Sequence, residues 1–140
     1  MKKLLLVFTL LITTLVFGQQ NEEPIQVPKI ATKLPFGETV QTNGYAITFS
    51  EILEDSRCPT EVTCVWEGRI KVKVVVKKEG NKLAEEILIF GKTNPKEKKN
   101  HTFFTSSEIK LEGIKVTPYP KTEAQKKEDA YVLLVGVFTN

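Results

Sequence analysis

From Arg69 to Lys77 the chain alternates. Ile70, Val72, Val74 and Val76 share one side, and Arg69, Lys71, Lys73 and Lys77 share the other, because side chains along a strand point to opposite faces in turn. One side is expected to meet a core and the other water. Carried backwards, the same period sets Trp66 on the apolar side and Glu67 on the polar side, so Trp66 is expected to open the buried face as a core anchor.

Shorter β patterns surround this strand. Tyr45, Ile47 and Phe49 share a face just after Asn43-Gly44, the dipeptide that most favours a type I′ hairpin turn. Beyond Phe49 two continuations stay open: strict alternation turns Glu51 and Leu53 inward, whereas a bulge near Ser50 turns Ile52 inward. Gly80-Asn81 marks a turn into "LAEEILIF", whose later part is apolar on both faces, and a polar loop, "GKTNPKEKKN", precedes the short run "HTFF". In "EIKLEGIKVTP", Ile109 and Leu111 share one face, and Ile114 and Val116 share one after a phase change at Glu112-Gly113 that requires a bulge or tight turn. "KTEAQKKED" is a charged connector with room for one helical turn, and "AYVLLVGVF" is apolar at nearly every position, as a central strand covered on both sides would be. No convincing amphipathic helix and no internal repeat interrupts the series. About seven strands over residues 36–140 predict an all-β domain, an immunoglobulin-like antiparallel β-sandwich.

The amino-terminal region reads differently. Lys2 and Lys3 precede an apolar and hydroxylated run from Leu4 to Phe17, and Val16 and Gly18 are small enough for a cleavage site before Gln19. Residues 1–18 are therefore expected to be a signal peptide; the run is shorter than the roughly 20 residues a spanning helix needs. Residues 19–35 hold Pro24, Pro28 and Pro35 without a sustained period and are expected to be extended, with an edge strand around Ile25 to Ile30 and the core starting near Phe36. Cleavage leaves 122 residues, with 18 basic against 17 acidic ones. That length suits one domain, and the near balance argues against a general attraction to nucleic acid.

Cys58 and Cys64 are the only cysteines, within "DSRCPTEVTCVWEG". Structural zinc fits poorly, because five residues separate them, wider than the usual thiolate spacing, and His101 is the only imidazole. Redox dithiols use a tighter spacing beside a helix start, and a cysteine nucleophile needs an unpaired, activated thiol. An even cysteine count in an exported chain favours a Cys58–Cys64 disulfide. Pro59 stiffens the loop further by fixing one φ. Such a corner is suited to presenting Asp55, Ser56, Arg57, Thr60 and Glu61 to a partner. For Arg57 the competing expectation is local: an ion pair with Asp55 or Glu61, or stacking on Trp66.

The motif Asp55-Ser56-Arg57-Cys58-Pro59, a short spacer, then Cys64-Val65-Trp66-x-Gly68 resembles one found in a group of small exported bacterial proteins described as uncharacterised. The likeness runs from about Tyr45 to Val76. It implies an extracytoplasmic β domain with a disulfide and carries no activity over.

Other chemistry is thinner. Arg69, Lys71, Lys73 and Lys77 form a basic stripe, and Lys92, Lys96, Lys98 and Lys99 a second basic cluster; the plainer interpretation is a solvated face and loop, with lysines discouraging edge pairing. His101 lies in no nucleophile-elbow pattern with Ser50, Ser56, Ser106 or Ser107. Glu51, Glu54 and Asp55 form a carboxylate cluster, with regular alternation sending Glu51 and Glu54 to opposite faces. Taken together, these features predict an exported, monomeric, non-catalytic binding module of the cell envelope or secretome, without metal or cofactor, meeting a protein or cell-surface partner. The competing classes are a small-ligand carrier with an apolar cavity and, further off, a small hydrolase.

Overall fold

The computed structural model describes residues 30–126 and 131–139; the expected signal peptide and the segment 19–29 lie outside the described residues. Eight strands form: β1 (Ile30–Pro35), β2 (Thr39–Thr42), β3 (Tyr45–Asp55), β4 (Arg69–Lys78), β5 (Asn81–Gly91), β6 (Thr102–Thr105), β7 (Ile109–Thr117) and β8 (Val132–Thr139). They build two antiparallel four-stranded sheets, ordered β1-β8-β7-β6 and β2-β3-β4-β5. The chain is thus the all-β sandwich its patterns predict. Every hydrogen-bonded pair except β1–β8 joins consecutive strands, so the likeness to an immunoglobulin domain is one of architecture and the path itself is an up-and-down meander.

The strand beyond the seven or so expected is β1. It precedes the expected core start at Phe36, pairs with β8 from Ile30↔Val137 to Pro35↔Val132, and buries Leu34. Pro35 is tolerated there because β1 is an edge strand, where a missing N–H breaks no inner ladder.

The β4 alternation holds from Arg69 through Lys77, with Ile70, Val72, Val74 and Val76 buried to 1 % exposure or less. They meet Leu111, Leu133, Val135 and Val137 of the facing sheet, so the interior is filled by branched side chains of both layers. Two tight hairpins set the register: Asn43-Gly44 and Glu79-Gly80 all have positive φ, as a type I′ turn requires. The second turn is centred one residue earlier than Gly80-Asn81, and Asn81 opens β5.

Bulges decide what β3 presents. Tyr45, Ile47 and Phe49 face inward; the register then shifts at Ser50, so that Ile52 pairs with inward Val72, and again at Leu53, so that Asp55 pairs with inward Ile70. The two extra residues carry the inward phase from odd to even and back to odd. Ile52, not Glu51, joins the core, and an aspartate ends on the inner face. A bulge also resolves the phase change in β7: Ile114 is the extra residue and is 40 % exposed, so it does not share the buried face of Val116 as expected. Gly113 there turns inward against Leu88 and Phe90, where a Cβ would meet Leu88 Cδ1 at 2.6 Å.

Because successive strands alternate in direction, their connections alternate between the two ends of the sandwich. One end carries the turns 43–44, 79–80 and 106–108; the other carries the long connections 56–68, 92–101 and 118–131. Connections that long, gathered on a rigid frame, are where binding surfaces are commonly built.

Candidate functional site

The loop end is built on Asp55. Its two carboxylate oxygens receive Arg57 Nε at 2.9 Å and Nη2 at 2.8 Å, a bidentate pair, and the Tyr131 hydroxyl also donates to it. Arg57 Nη1 reaches the Val116 carbonyl at 3.2 Å, and the guanidinium lies 5.2 and 5.3 Å from the ring centroids of Tyr119 and Tyr131. The pair thereby ties the end of β3 to the facing sheet. Burial pushes the Asp55 carboxyl up, but the hydrogen bonds from Arg57 and Tyr131 outweigh it and hold it below its ordinary value. Burial likewise works against the Arg57 charge and the hydrogen bond to Asp55 overcomes it. Burial and the hydrogen bond to Asp55 push Tyr131 up to about 12. With side chains 5 % and 8 % exposed, Arg57 and Asp55 are not the partner contacts expected of them: they form the local ion pair. No local pattern points to Tyr131, which lies 76 residues from Asp55.

Cys58 and Cys64 are bonded, with Cα atoms 6.0 Å apart, which is compatible with an oxidising, exported location. The loop they close is docked: the N–H groups of Thr60 and Glu61 donate to the carbonyls of Pro120 and Lys121 at 3.1 and 3.2 Å. Pro59 is buried beneath it, whereas Thr60 and Glu61 are exposed, as is Ser56, whose hydroxyl donates to Glu54 at 2.9 Å. Closing the seven-residue loop from Cys58 to Cys64 contributes about 2.4 kcal/mol in the chain-entropy estimate. Replacing both cysteines with serine is expected to lower the urea unfolding midpoint by that equivalent, with the far-ultraviolet β signal retained; an unchanged midpoint contradicts a stabilising bridge.

Trp66 is not a core anchor. It is 74 % exposed, and Val65 beside it 94 %. The strand period fails there because β4 pairing starts only at Arg69↔Gly91 on one side and Asp55↔Ile70 on the other, and Ser56 N donates to Arg69 O at 2.8 Å to close the loop before it. Residues before Gly68 therefore belong to the loop. Gly68 itself packs so closely on the Ser56-Arg57 backbone that a Cβ would lie 1.8 Å from the Ser56 carbonyl oxygen. Val62 and Tyr119, 56 % and 52 % exposed, add to the apolar surface of this end.

The connection 92–101 is held in place by Glu97. Its carboxylate pairs with Arg69 and Lys71 and accepts the Asn94 N–H at 2.8 Å. Hydrogen bonding from Lys71, then from the Asn94 N–H, lowers Glu97 to about 2. The expected basic stripe is consequently a mixed ladder: Arg69 and Lys71 both meet Glu54 and Glu97, Lys73 meets Glu51, and Lys77 alone of the four is exposed with no ion pair among the described residues. Glu51 and Glu54 share the outer face, not opposite faces, because of the Ser50 and Leu53 bulges. That ladder leaves little uncompensated charge for an acidic partner on this face.

Two surface grooves open here. The larger, about 430 Å³, runs over the outer face of β4 and β5 between Leu53, Lys71, Ile87, Ile89 and Glu97. The smaller, about 200 Å³, lies at the loop end, lined by Ser56, Trp66, Glu67, Gly68, Arg69, Lys92 and Asn94. His101 is engaged elsewhere: its Nε2 bonds the Ile89 carbonyl at 3.0 Å and its ring lies 4.8 Å from that of Phe90. Ser106 is tied into the Tyr45–Glu108 corner at the opposite end. Among the described residues no group of three or more histidine, cysteine or acidic side chains is placed to hold a metal ion.

Comparison of the chain with protein-family models, with curated proteins and with solved structures gives no match.

Proposed function

We propose that this chain is an exported binding module that meets its partner in the cell envelope or secretome through the loop end of the sandwich. The observation that carries this reading is Trp66, exposed on a loop fixed by a disulfide, by the backbone bonds to Pro120 and Lys121, and by the Asp55–Arg57 pair beneath it. Tryptophan is a costly residue to leave in water and a frequent energetic centre of binding surfaces. A loop already ordered loses little entropy when a partner arrives.

The partner-facing set is accordingly Trp66 and Val65 with exposed Val62, Thr60 and Glu61, in place of Asp55 and Arg57. Side chains at 0–1 % exposure fill the space between the sheets, which favours an exposed surface over carriage in an interior cavity. The leader pattern of residues 1–18 and the likeness of the Asp55–Gly68 motif to small exported proteins support export.

Trp66→Ala tests the reading. Because the side chain packs against little, the variant is expected to unfold within about 0.5 kcal/mol of the wild type. Immobilised wild-type protein and a far-end control, Lys82→Ala, are expected to retain a component from an envelope and secretome extract that Trp66→Ala releases. Equal retention by all three contradicts the assignment, and so does an apolar small molecule carried by the wild-type chain in a native mass spectrum, the mark of interior carriage.

A further inference from the structure

We propose that the groove beside Trp66 binds a neutral glycan, with one sugar ring stacked on the indole; the inference rests on the binding-module reading and names the ligand class of its site. A pyranose ring has one face of C–H groups and a rim of hydroxyls that both donate and accept. Its complement is an aromatic plate bordered by donors and acceptors together. The residues that line the groove have that chemistry: Trp66 for the plate, Lys92 as a donor, Glu67 as an acceptor, and Asn94 as both. Its volume of about 200 Å³ suits a single ring, with the rest of an oligosaccharide running out into solvent.

Charge selects against the nearest competitors. Arg69 lines the groove, but its guanidinium is already paired with Glu54 and Glu97, and the Glu67 carboxylate offsets Lys92. Among the residues lining the groove, a phosphate or a uronic acid therefore finds no guanidinium free of carboxylate partners. An apolar peptide side chain seated here would strip water from Lys92, Glu67 and Asn94 without replacing their hydrogen bonds, which is unfavourable. Hydroxyls replace them. The plate and the polar rim come from different connections, 56–68 and 92–101, and both are fixed before any ligand arrives: the first by Gly68 on the Ser56-Arg57 backbone, the second by Glu97 on Arg69, Lys71 and Asn94. Preformed geometry of this kind is typical of small-ligand sites.

Trp66 is the only tryptophan, so tryptophan emission, excited at the red edge where tyrosine does not absorb, reports this groove alone. The experiment titrates the exported, disulfide-bonded protein with neutral tetrasaccharides of β-1,4-linked glucose, β-1,4-linked N-acetylglucosamine and α-1,6-linked mannose, and with a tetrasaccharide of galacturonic acid. A saturable change in emission with at least one neutral sugar is expected. By calorimetry, Trp66→Ala is expected to abolish that binding, and Asn94→Ala and Glu67→Gln each to weaken it about tenfold, the loss of one well-made hydrogen bond. Silence with every neutral sugar overturns the inference, as does tighter binding of the acidic one or wild-type affinity in Asn94→Ala and Glu67→Gln. If the sugars fail while Trp66→Ala still loses its envelope component, the glycan assignment alone falls. If Trp66→Ala keeps that component, the binding-module reading falls with it.

Discussion

Arg57→Ala is expected to destabilise the protein by about 3–5 kcal/mol, because it leaves the Asp55 carboxylate buried without its partner. At about 4 °C per kcal/mol for a domain of this size, the melting temperature falls by roughly 12–20 °C. Arg57→Lys is expected to recover only part of the loss, since an ammonium cannot span both oxygens of Asp55 or lie flat between the rings of Tyr119 and Tyr131. The double replacement Asp55→Leu with Arg57→Met recovers more than Arg57→Lys, since it removes both charges at once. The pH dependence has a defined sign. The folded pKa of Asp55 lies below its ordinary unfolded value, so its contribution is complete above that value and is lost as pH falls through the folded pKa. Thermal unfolding of the three variants at neutral pH checks the assignment, and a melting temperature for Arg57→Ala within about 2 °C of wild type contradicts it.

Gly68→Ala is expected to cost about 3 kcal/mol or more, the upper part of the range for overpacking. The added carbon would lie 1.8 Å from the Ser56 carbonyl oxygen, 2.6 Å from its carbon and 2.7 Å from the Arg57 Cα. All three are backbone atoms, so no rotamer change relieves the contact. The displaced segment also carries Arg57, and the buried pair is disturbed with it. Gly80→Ala is the control: φ is +82° there and nothing lies within 4 Å of the added carbon. Only the left-handed backbone penalty of about 1–2 kcal/mol applies. Denaturant unfolding of both variants is expected to show the larger loss at Gly68; equal losses would mean that the loop yields to the intrusion.

Together these variants divide the Asp55–Gly68 segment by role. Asp55, Arg57, Cys58, Cys64 and Gly68 hold the loop in place, and Val65 and Trp66 are what it displays. Trp66 leaves the core place that the strand period assigns it, and Arg57 takes the local ion pair over partner contact: the arginine is inside and the tryptophan outside.

The reason is local and physical. Alternation is legible where a strand is regular, and from Ile70 to Val76 it places each side chain correctly. It is blind to bulges. Two of them, at Ser50 and Leu53, shift the phase of β3 and turn Asp55 inward; the first is one of the two continuations that the sequence leaves open, and no glycine or proline announces the second. The even cysteine count and the expected export are enough to anticipate the disulfide. They say nothing of where β4 begins, which is fixed by the approach of Gly68 to Ser56 and by the bond from Ser56 N to Arg69 O. Extending the period of β4 by four residues placed Trp66 in a core it never enters. Tyr131, Tyr119 and the Val116 carbonyl, which complete the surroundings of Arg57, come from the other sheet and its connection. Contacts made through tertiary folding over such separations leave no mark on a local pattern.

The most direct test of this division is collisional quenching of the single tryptophan by iodide and acrylamide in the folded, oxidised protein. Red-shifted emission, quenched nearly as efficiently as free indole by both agents, is the predicted result, with little further change on unfolding. Blue-shifted emission that iodide cannot reach until the protein unfolds would put Trp66 back in the core and remove the surface on which the proposed function rests.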